Sequence, residues 1–280
     1  MSGHIFWLSS YPKSGNTLLR SILATYFFSD NGEFKFEHLY KIDQFPSLHH
    51  FKNIGLDVSN EKVVFQNFIN AQKFINKEKN KIIFLKTHSS LNKINNSNFT
   101  DLDNTLGAIY VVRDPRNVVT SFAHHYNMNI DEATDVMIDK TRWLVTTDKI
   151  FKTFISSWEV NYNSWKQLGD RVLFIKYEDL VSKKKTILIK IFKFIINLGI
   201  KNLTLDMNKL NMIIKSTEFE KMKNMEKKQD FKEGVVDPNS KKRKTFFMFG
   251  PKNDWKKSLD IKNKEKIEKN FHKEILELKY

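Results

Sequence analysis

Four short apolar runs punctuate the first 180 residues. Ile5 to Ser9, Lys81 to Leu85, Gly107 to Val112 and Arg171 to Ile175 are dominated by consecutive Val, Ile, Leu and aromatic positions, the pattern of strands covered on both faces. Between them the spacing turns helical. Apolar residues at 18, 19, 22, 23 and 27 place one face on a helix over 17–28, and a second helix runs from Pro115, where a missing N–H costs little, to Tyr126. Residues 42–79 are polar with scattered Phe and read as helices and loops over one face. Ile187 to Ile200, interrupted by Lys190, Lys193 and Asn197, reads as an amphipathic helix, and 261–278 as a charged one. Strands alternating with helices predict an α/β fold, a three-layer sandwich with a central parallel sheet.

In such sheets ligands sit at the carboxyl ends of the strands. Each of the four runs ends in a polar cluster: Ser10 to Thr17, Lys86 to His88, Arg113 to Arg116, and Lys176 to Asp179. A helical core would not need that coincidence. No repeat or linker divides the chain, so residues 1–280 read as a single domain. The Lys-rich stretch 226–257, with Gly234, Pro238, Gly250 and Pro251, reads as a long irregular loop, a lid or binding element.

An apolar share of 40% is enough for a substantial core. With no cysteine there is no disulfide framework, thiolate metal site or cysteine nucleophile, which suits a reducing, cytoplasmic setting. No signal-peptide pattern and no run of about 18 apolar residues is present, so no membrane span is expected. The net charge of +15 raises the question of nucleic acid. Residues 1–180 hold 21 Lys and Arg against 19 Asp and Glu, whereas the last hundred hold 26 against 13. Aromatics are not interleaved with those basic runs as a stacking platform requires, so lysine on solvated helix faces is the better account. A site for a small polyanion fits either view.

The cluster YPKSGNT turns from strand into helix, so the N–H groups of Ser14 to Thr17 can converge on an anion at the positive helix end. Lys13 adds a point charge, and Ser14, Asn16 and Thr17 add side-chain donors around Gly15. The lysine precedes the glycine, and the GK[ST] ending of a triphosphate loop is missing. An ordinary turn with an exposed lysine accounts for this stretch alone about equally well. Lys86 and His88, two apart at a strand end, offer a cation and a group that titrates near neutrality. Arg113 follows an apolar strand, with Ser121 eight positions on; together they suit a phosphate, unless Arg113 simply pairs with Asp114. Arginine rather than aspartate at this strand end favours an anion over a magnesium ion.

Taken in order, YPKSGNT, KTH, VVRDPRNVVTSF, KYEDL and a late DWKK resemble the sulfotransferases that use 3′-phosphoadenosine-5′-phosphosulfate (PAPS), the cytosolic or bacterial type more than the Golgi type. The resemblance runs from about residue 5 to residue 257. It implies a P-loop NTPase-like fold, PAPS as co-substrate, no metal, and a small-molecule or glycan acceptor bearing a hydroxyl or amine. It makes Lys13, Ser14, Gly15, Asn16 and Thr17 the cradle of the 5′-phosphosulfate and gives Arg113 and Ser121 to the 3′-phosphate. Tyr177, Thr217 and Phe219 then border the nucleotide, His88 is the catalytic base with Lys86 beside it, and Trp158 is a core residue. Asn16 stands where many members have threonine, Asn253 replaces the glycine before Asp254-Trp255, and two further places depart from the family pattern. Leu18 stands where a tryptophan often stacks on adenine, and Met248-Phe249-Gly250 falls where Arg-Lys-Gly is expected. A gapped register instead makes Arg243 and Lys244 the 3′-phosphate clamp, against a reading of Lys241 to Lys244 as a localisation or nucleic-acid patch. The rival functions are a nucleotide kinase or NTPase and a basic nucleic-acid-binding protein.

Overall fold

The computed structural model describes residues 3–77, 82–94, 96–200, 203–229, 231–235 and 243–280. Among the described residues there are seven strands: β1 (Ile5–Ser10), β2 (Asp43–Gln44), β3 (Ile83–Thr87), β4 (Thr105–Val112), β5 (Trp143–Leu144), β6 (Thr153–Phe154) and β7 (Val172–Lys176). Five of them form one parallel sheet in the order β2-β3-β1-β4-β7, and β5 pairs antiparallel with β6. β1 lies at the centre. The chain reaches β3 on one side of it and then crosses to β4 on the other, so the strand order reverses at the carboxyl end of β1, where α/β sheets open a crevice.

β1 is buried along its whole length, and its side chains alternate between two cores as the period of two requires. Ile5 and Trp7 enter one core, with Val118, Phe122, Met137, Trp158 and Ile267 from the helices on that face. Phe6 and Leu8 enter the other, with Leu19 and Ile22 of α1 (Asn16–Phe28), Leu188 and Ile191 of helix Lys184–Asn197, and Leu210 of helix Met207–Ser216. Helices on both faces of a parallel sheet make the three-layer sandwich.

A third apolar cluster stands apart from the sheet. Phe34, Phe36 and Leu39 pack there with Met222, Phe231 and Phe247, which ties the late Lys-rich stretch to the segment after α1. The Glu226 carboxylate accepts hydrogen bonds from the backbone N of Phe246 (2.6 Å) and Phe247 (3.0 Å), closing that stretch on itself. Residues 230 and 236–242 of it, including Lys241 and Lys242, lie outside the described residues.

The predicted elements differ from the observed ones in a few places. β2 is only two residues long and polar, so no apolar run announces it. The C-terminal segment is two helices, Ile261–Asn270 and His272–Leu278, because the chain breaks at Phe271, whose buried ring packs on Trp158 at 5.1 Å between centroids. Helix Phe219–Lys228 runs three residues into the stretch expected to be irregular, which ends in short helical turns at Gly250–Lys252 and Trp255–Ser258. Among the described residues no helix is long and apolar enough to cross a membrane.

Candidate active site

The turn after β1 is set by its own sequence. Ser14 N donates to Tyr11 O (3.2 Å), Lys13 and Gly15 take positive φ (67° and 105°), and α1 begins at Asn16, whose Nδ2 donates back to Leu8 O (2.9 Å). Gly15 is needed twice over. Its φ is one that other residues avoid, and a Cβ there would lie 2.4 Å from Cδ2 of Tyr177. Gly15→Ala is expected to lower stability by about 1–3 kcal/mol through overpacking. Urea unfolding measures this, and the loss should shrink in the Gly15→Ala/Tyr177→Ala double variant; an undiminished loss would locate the cost in the backbone instead.

Arg113, at the end of β4, holds this turn. Its Nη1 donates to Lys13 O (3.2 Å), its Nη2 to Gly250 O (3.2 Å), and its guanidinium lies 4.4 Å from the Tyr177 ring centroid. Asp114 is not its partner. That carboxylate caps helix Pro115–Tyr126 through Arg116 N (2.9 Å) and pairs with Arg116 Nη2 (2.8 Å). Arg113 therefore keeps its charge for the cavity beside it.

β3 delivers Lys86 and His88 to the same place. His88 Nδ1 lies 2.8 Å from Ser10 O. A carbonyl can only accept, so Nδ1 carries the proton and Nε2 keeps its lone pair. Burial, and then the Lys86 charge, push the His88 pKa down to about 3, which leaves the ring neutral at physiological pH. Lys13 Nζ sits 3.9 Å from the Phe246 ring centroid, and burial with the neighbouring Lys86 pulls its pKa down to about 7; burial takes Lys86 down to about 8.

The surprise is Glu233, carried in by the late stretch. Its Oε1 lies 2.7 Å from Arg20 Nη1, and its Oε2 lies 3.4 Å from Thr17 Oγ1 and 3.7 Å from Lys86 Nζ. Burial alone would raise its pKa, but Arg20 and Lys86 outweigh that and hold it at about 2. An ionised carboxylate thus sits against the cations that the motifs set aside for an anionic ligand. Glu233→Gln removes its charge, and PAPS or its desulfo product PAP is expected to bind several-fold more tightly by calorimetry. Weaker binding would instead make Glu233 a support for Arg20 and Lys86.

These groups line a cavity of about 390 Å³ at the carboxyl ends of β1, β3, β4 and β7, a size common for small-molecule sites. Lys13, Gly15, Asn16, Thr17, Lys86, His88, Arg113, Ser121, Tyr177, Thr217 and Phe219 are on its wall, as is Leu18. Ser14 is buried behind the wall with its Oγ unpartnered. Lys244 lines a smaller adjoining pocket with Ser121 and donates to His124 O (3.2 Å) and Asn127 Oδ1 (2.6 Å). Arg243 is exposed, lies on neither wall, and donates to Phe231 O (2.7 Å). Gly250, which the ungapped register aligns with the family glycine, is on the main wall; a Cβ there would meet the Phe219 ring at 2.1 Å. The DW motif docks on helix Pro115–Tyr126: Trp255 N donates to Asn117 Oδ1 (2.9 Å) and Arg116 stacks on the indole at 4.2 Å.

The motif reading did not include Arg20, Lys184 or Glu233. Arg20 had a signal, since it follows Thr17 by one helical turn. Lys184, whose Nζ donates to Thr217 O (3.1 Å), and Glu233 had none in their own neighbourhoods.

The sequence profile of the Sulfotransferase domain matches residues 4–279. The chain belongs to the sulfotransferase family. It is 25% identical to Sulfotransferase 1A1 of Canis lupus familiaris over 279 residues, covering 96% of this sulfotransferase and 82% of that one. Sulfotransferase 1 family member D1 of Mus musculus is 24% identical over 273 residues, with the same coverage. Among solved structures, mouse sulfotransferase SULT7A1 complexed with PAP superposes with a TM-score of 0.59 at 19% identity, covering 98% of this chain and 84% of that one. Retinol dehydratase in complex with androsterone and PAP gives 0.61 at 17% identity, with 97% and 80% covered. The likeness establishes the shared α/β fold.

Proposed function

We propose that this sulfotransferase moves a sulfuryl group from PAPS to a hydroxyl or amine of a small-molecule or glycan acceptor. One observation carries the reading: a neutral His88 with Nε2 free to accept shares a cavity wall with Lys13, Lys86 and Arg113. The donor set also suits a polyanion, because Arg113 Nε and Ser14 Oγ are buried without partners and the cations outnumber Glu233. Both superposed neighbours were solved with PAP, which agrees.

In this reading Lys13 and the N–H groups of the β1 turn hold the phosphosulfate, while Arg113 and Ser121, with Lys244 nearby, hold the 3′-phosphate. His88 Nε2 takes the acceptor proton as the acceptor oxygen or nitrogen bonds to sulfur. The bond from sulfur to the bridging oxygen breaks, and the electron pair leaves with adenosine 3′,5′-bisphosphate. Lys13 stabilises the charge that builds on that oxygen, and Lys86 steadies the sulfuryl oxygens. The stretch 226–257 acts as a lid, contributing Glu233, Phe246 and Gly250 to the wall, and the protein works in the cytoplasm.

The kinase reading needs a carboxylate at the β4 end to hold magnesium, and Asp114 is committed to Arg116. The nucleic-acid reading leaves the cavity without a use. Thermal shift with PAPS against ATP plus magnesium separates these, and labelled PAPS offered with a phenol, an alcohol, a sugar and an amine identifies the acceptor class. Stabilisation by ATP and magnesium but not by PAPS would overturn the proposal.

A further inference from the structure

At the sheet edge formed by β2, three metal-ligating side chains meet. We propose that Asp43, His49 and His50 form a binding site for a divalent metal ion, with zinc as the best-fitting candidate. Asp43 lies on the edge strand β2, and the short helix Leu48–Lys52 carries both histidines. His49 Nε2 lies 2.9 Å and His50 Nε2 3.2 Å from the same oxygen, Asp43 Oδ2, and one ligand atom from each residue falls within 4.8 Å of the others. Consecutive helical residues diverge by roughly 100° around the axis, so convergence of both imidazole tips is not a default of the helix.

The His50 nitrogen singles this cluster out. His50 is only 7% exposed, and its buried Nε2 has the Asp43 Oδ2 ion-pair contact at 3.2 Å without completing a regular hydrogen bond. One carboxylate oxygen, Asp43 Oδ2, is the ion-pair contact of both imidazole nitrogens. A cation among the three atoms satisfies all of them. Metal–ligand bonds of about 2.0–2.2 Å around zinc separate tetrahedral ligands by about 3.3 Å, close to the 2.9 and 3.2 Å between Asp43 Oδ2 and the two imidazole nitrogens. Asp43 is also oriented as a ligand needs: its Oδ1 accepts from Gln44 N (2.7 Å) and Ser47 Oγ (3.4 Å), leaving Oδ2 for the ion. Asp43 and His49 reach solvent, so water can complete the coordination. Gln44, the next residue, lines the main cavity, so an ion here would pin the sheet edge that forms part of its wall.

The test uses the full chain without a polyhistidine tag, stripped with a chelator and titrated with Zn²⁺ against a chromophoric chelator, with thermal unfolding in parallel. Wild type is expected to bind one equivalent in competition and to gain Tm. His49→Ala, which changes an exposed side chain, should lose at least tenfold in affinity together with the Tm gain, while the exposed control His272→Ala keeps both. Failure of wild type to compete for zinc would overturn the proposal. So would a His49→Ala variant that binds and stabilises as wild type does.

Discussion

Replacing His88 with alanine is expected to slow sulfuryl transfer by about 10²–10⁴-fold, the usual contribution of a positioned general base, while PAP binds within a few-fold of wild type. The split follows from the geometry. The ring's Nδ1 is tied to Ser10 O, so the side chain is oriented by β1 and presents Nε2 to the cavity, whereas the charges suited to the nucleotide come from Lys13, Lys86 and Arg113. A base is lost when it is protonated, and His88 is held at about 3 by burial and by Lys86. The acid limb of kcat/KM, which reports the free enzyme, should therefore lie well below the ordinary histidine value of about 6.5. Single-turnover transfer with labelled PAPS, PAP calorimetry and a pH–rate profile check this. Equal loss of PAP binding and rate would make His88 structural, and an acid limb near 6.5 would mean that its ring is solvated.

Lys13→Ala is expected to cost both binding and rate. Losing one charge-assisted contact to the phosphosulfate weakens PAPS binding by about 10–100-fold, and losing charge stabilisation at the bridging oxygen lowers kcat by about 10²–10³-fold. The lysine also leaves a proton signature. In the free protein its pKa is about 7, so at pH 8 it is mostly neutral, and an anion arriving beside it draws a proton in. PAP affinity should fall as pH rises through that range. Calorimetry at pH 8 in buffers of different ionisation enthalpy should show proton uptake that diminishes in the variant, with Lys86, at about 8, supplying the remainder. The same shift bears on stability. Between about pH 7 and the ordinary lysine value near 10.4 the unfolded chain binds more protons at this residue than the folded one, so its contribution to stability rises with pH across that window. PAP affinity unchanged in Lys13→Ala would remove the residue from the cradle.

Much of this site was legible because its parts are contiguous. Lys13 to Thr17 form one turn, and its geometry depends on residues a few positions apart: Ser14 on Tyr11, Asn16 on Leu8. The apolar runs locate the strand ends within about two residues, so the sequence alone gathers the clusters at 86–88, 113–116 and 176–179 at one end of a sheet. β2 escaped because two polar residues have no period to read. The break at Phe271 escaped because a buried ring overrode a pattern that continues through it.

The resemblance across five ordered motifs assigned roles, yet it could not say which side chains would share a wall. Arg243 and Lys244 are neighbours in sequence, and the fold sends one to solvent and the other to the pocket beside Ser121. Glu233 is 213 residues from Arg20, and long-range packing, with Phe231 and Phe247 against Phe36, brings its carboxylate to the turn after β1.

By itself the sequence determined the layers of the sandwich, the tight turn after β1 and the family, because periodicity and motif order are properties of short stretches. The tertiary structure alone decided the charge states and the partners. Burial, and the like or opposite charges that folding brings near from distant segments, are what set Lys13 at about 7, His88 at about 3 and Glu233 at about 2.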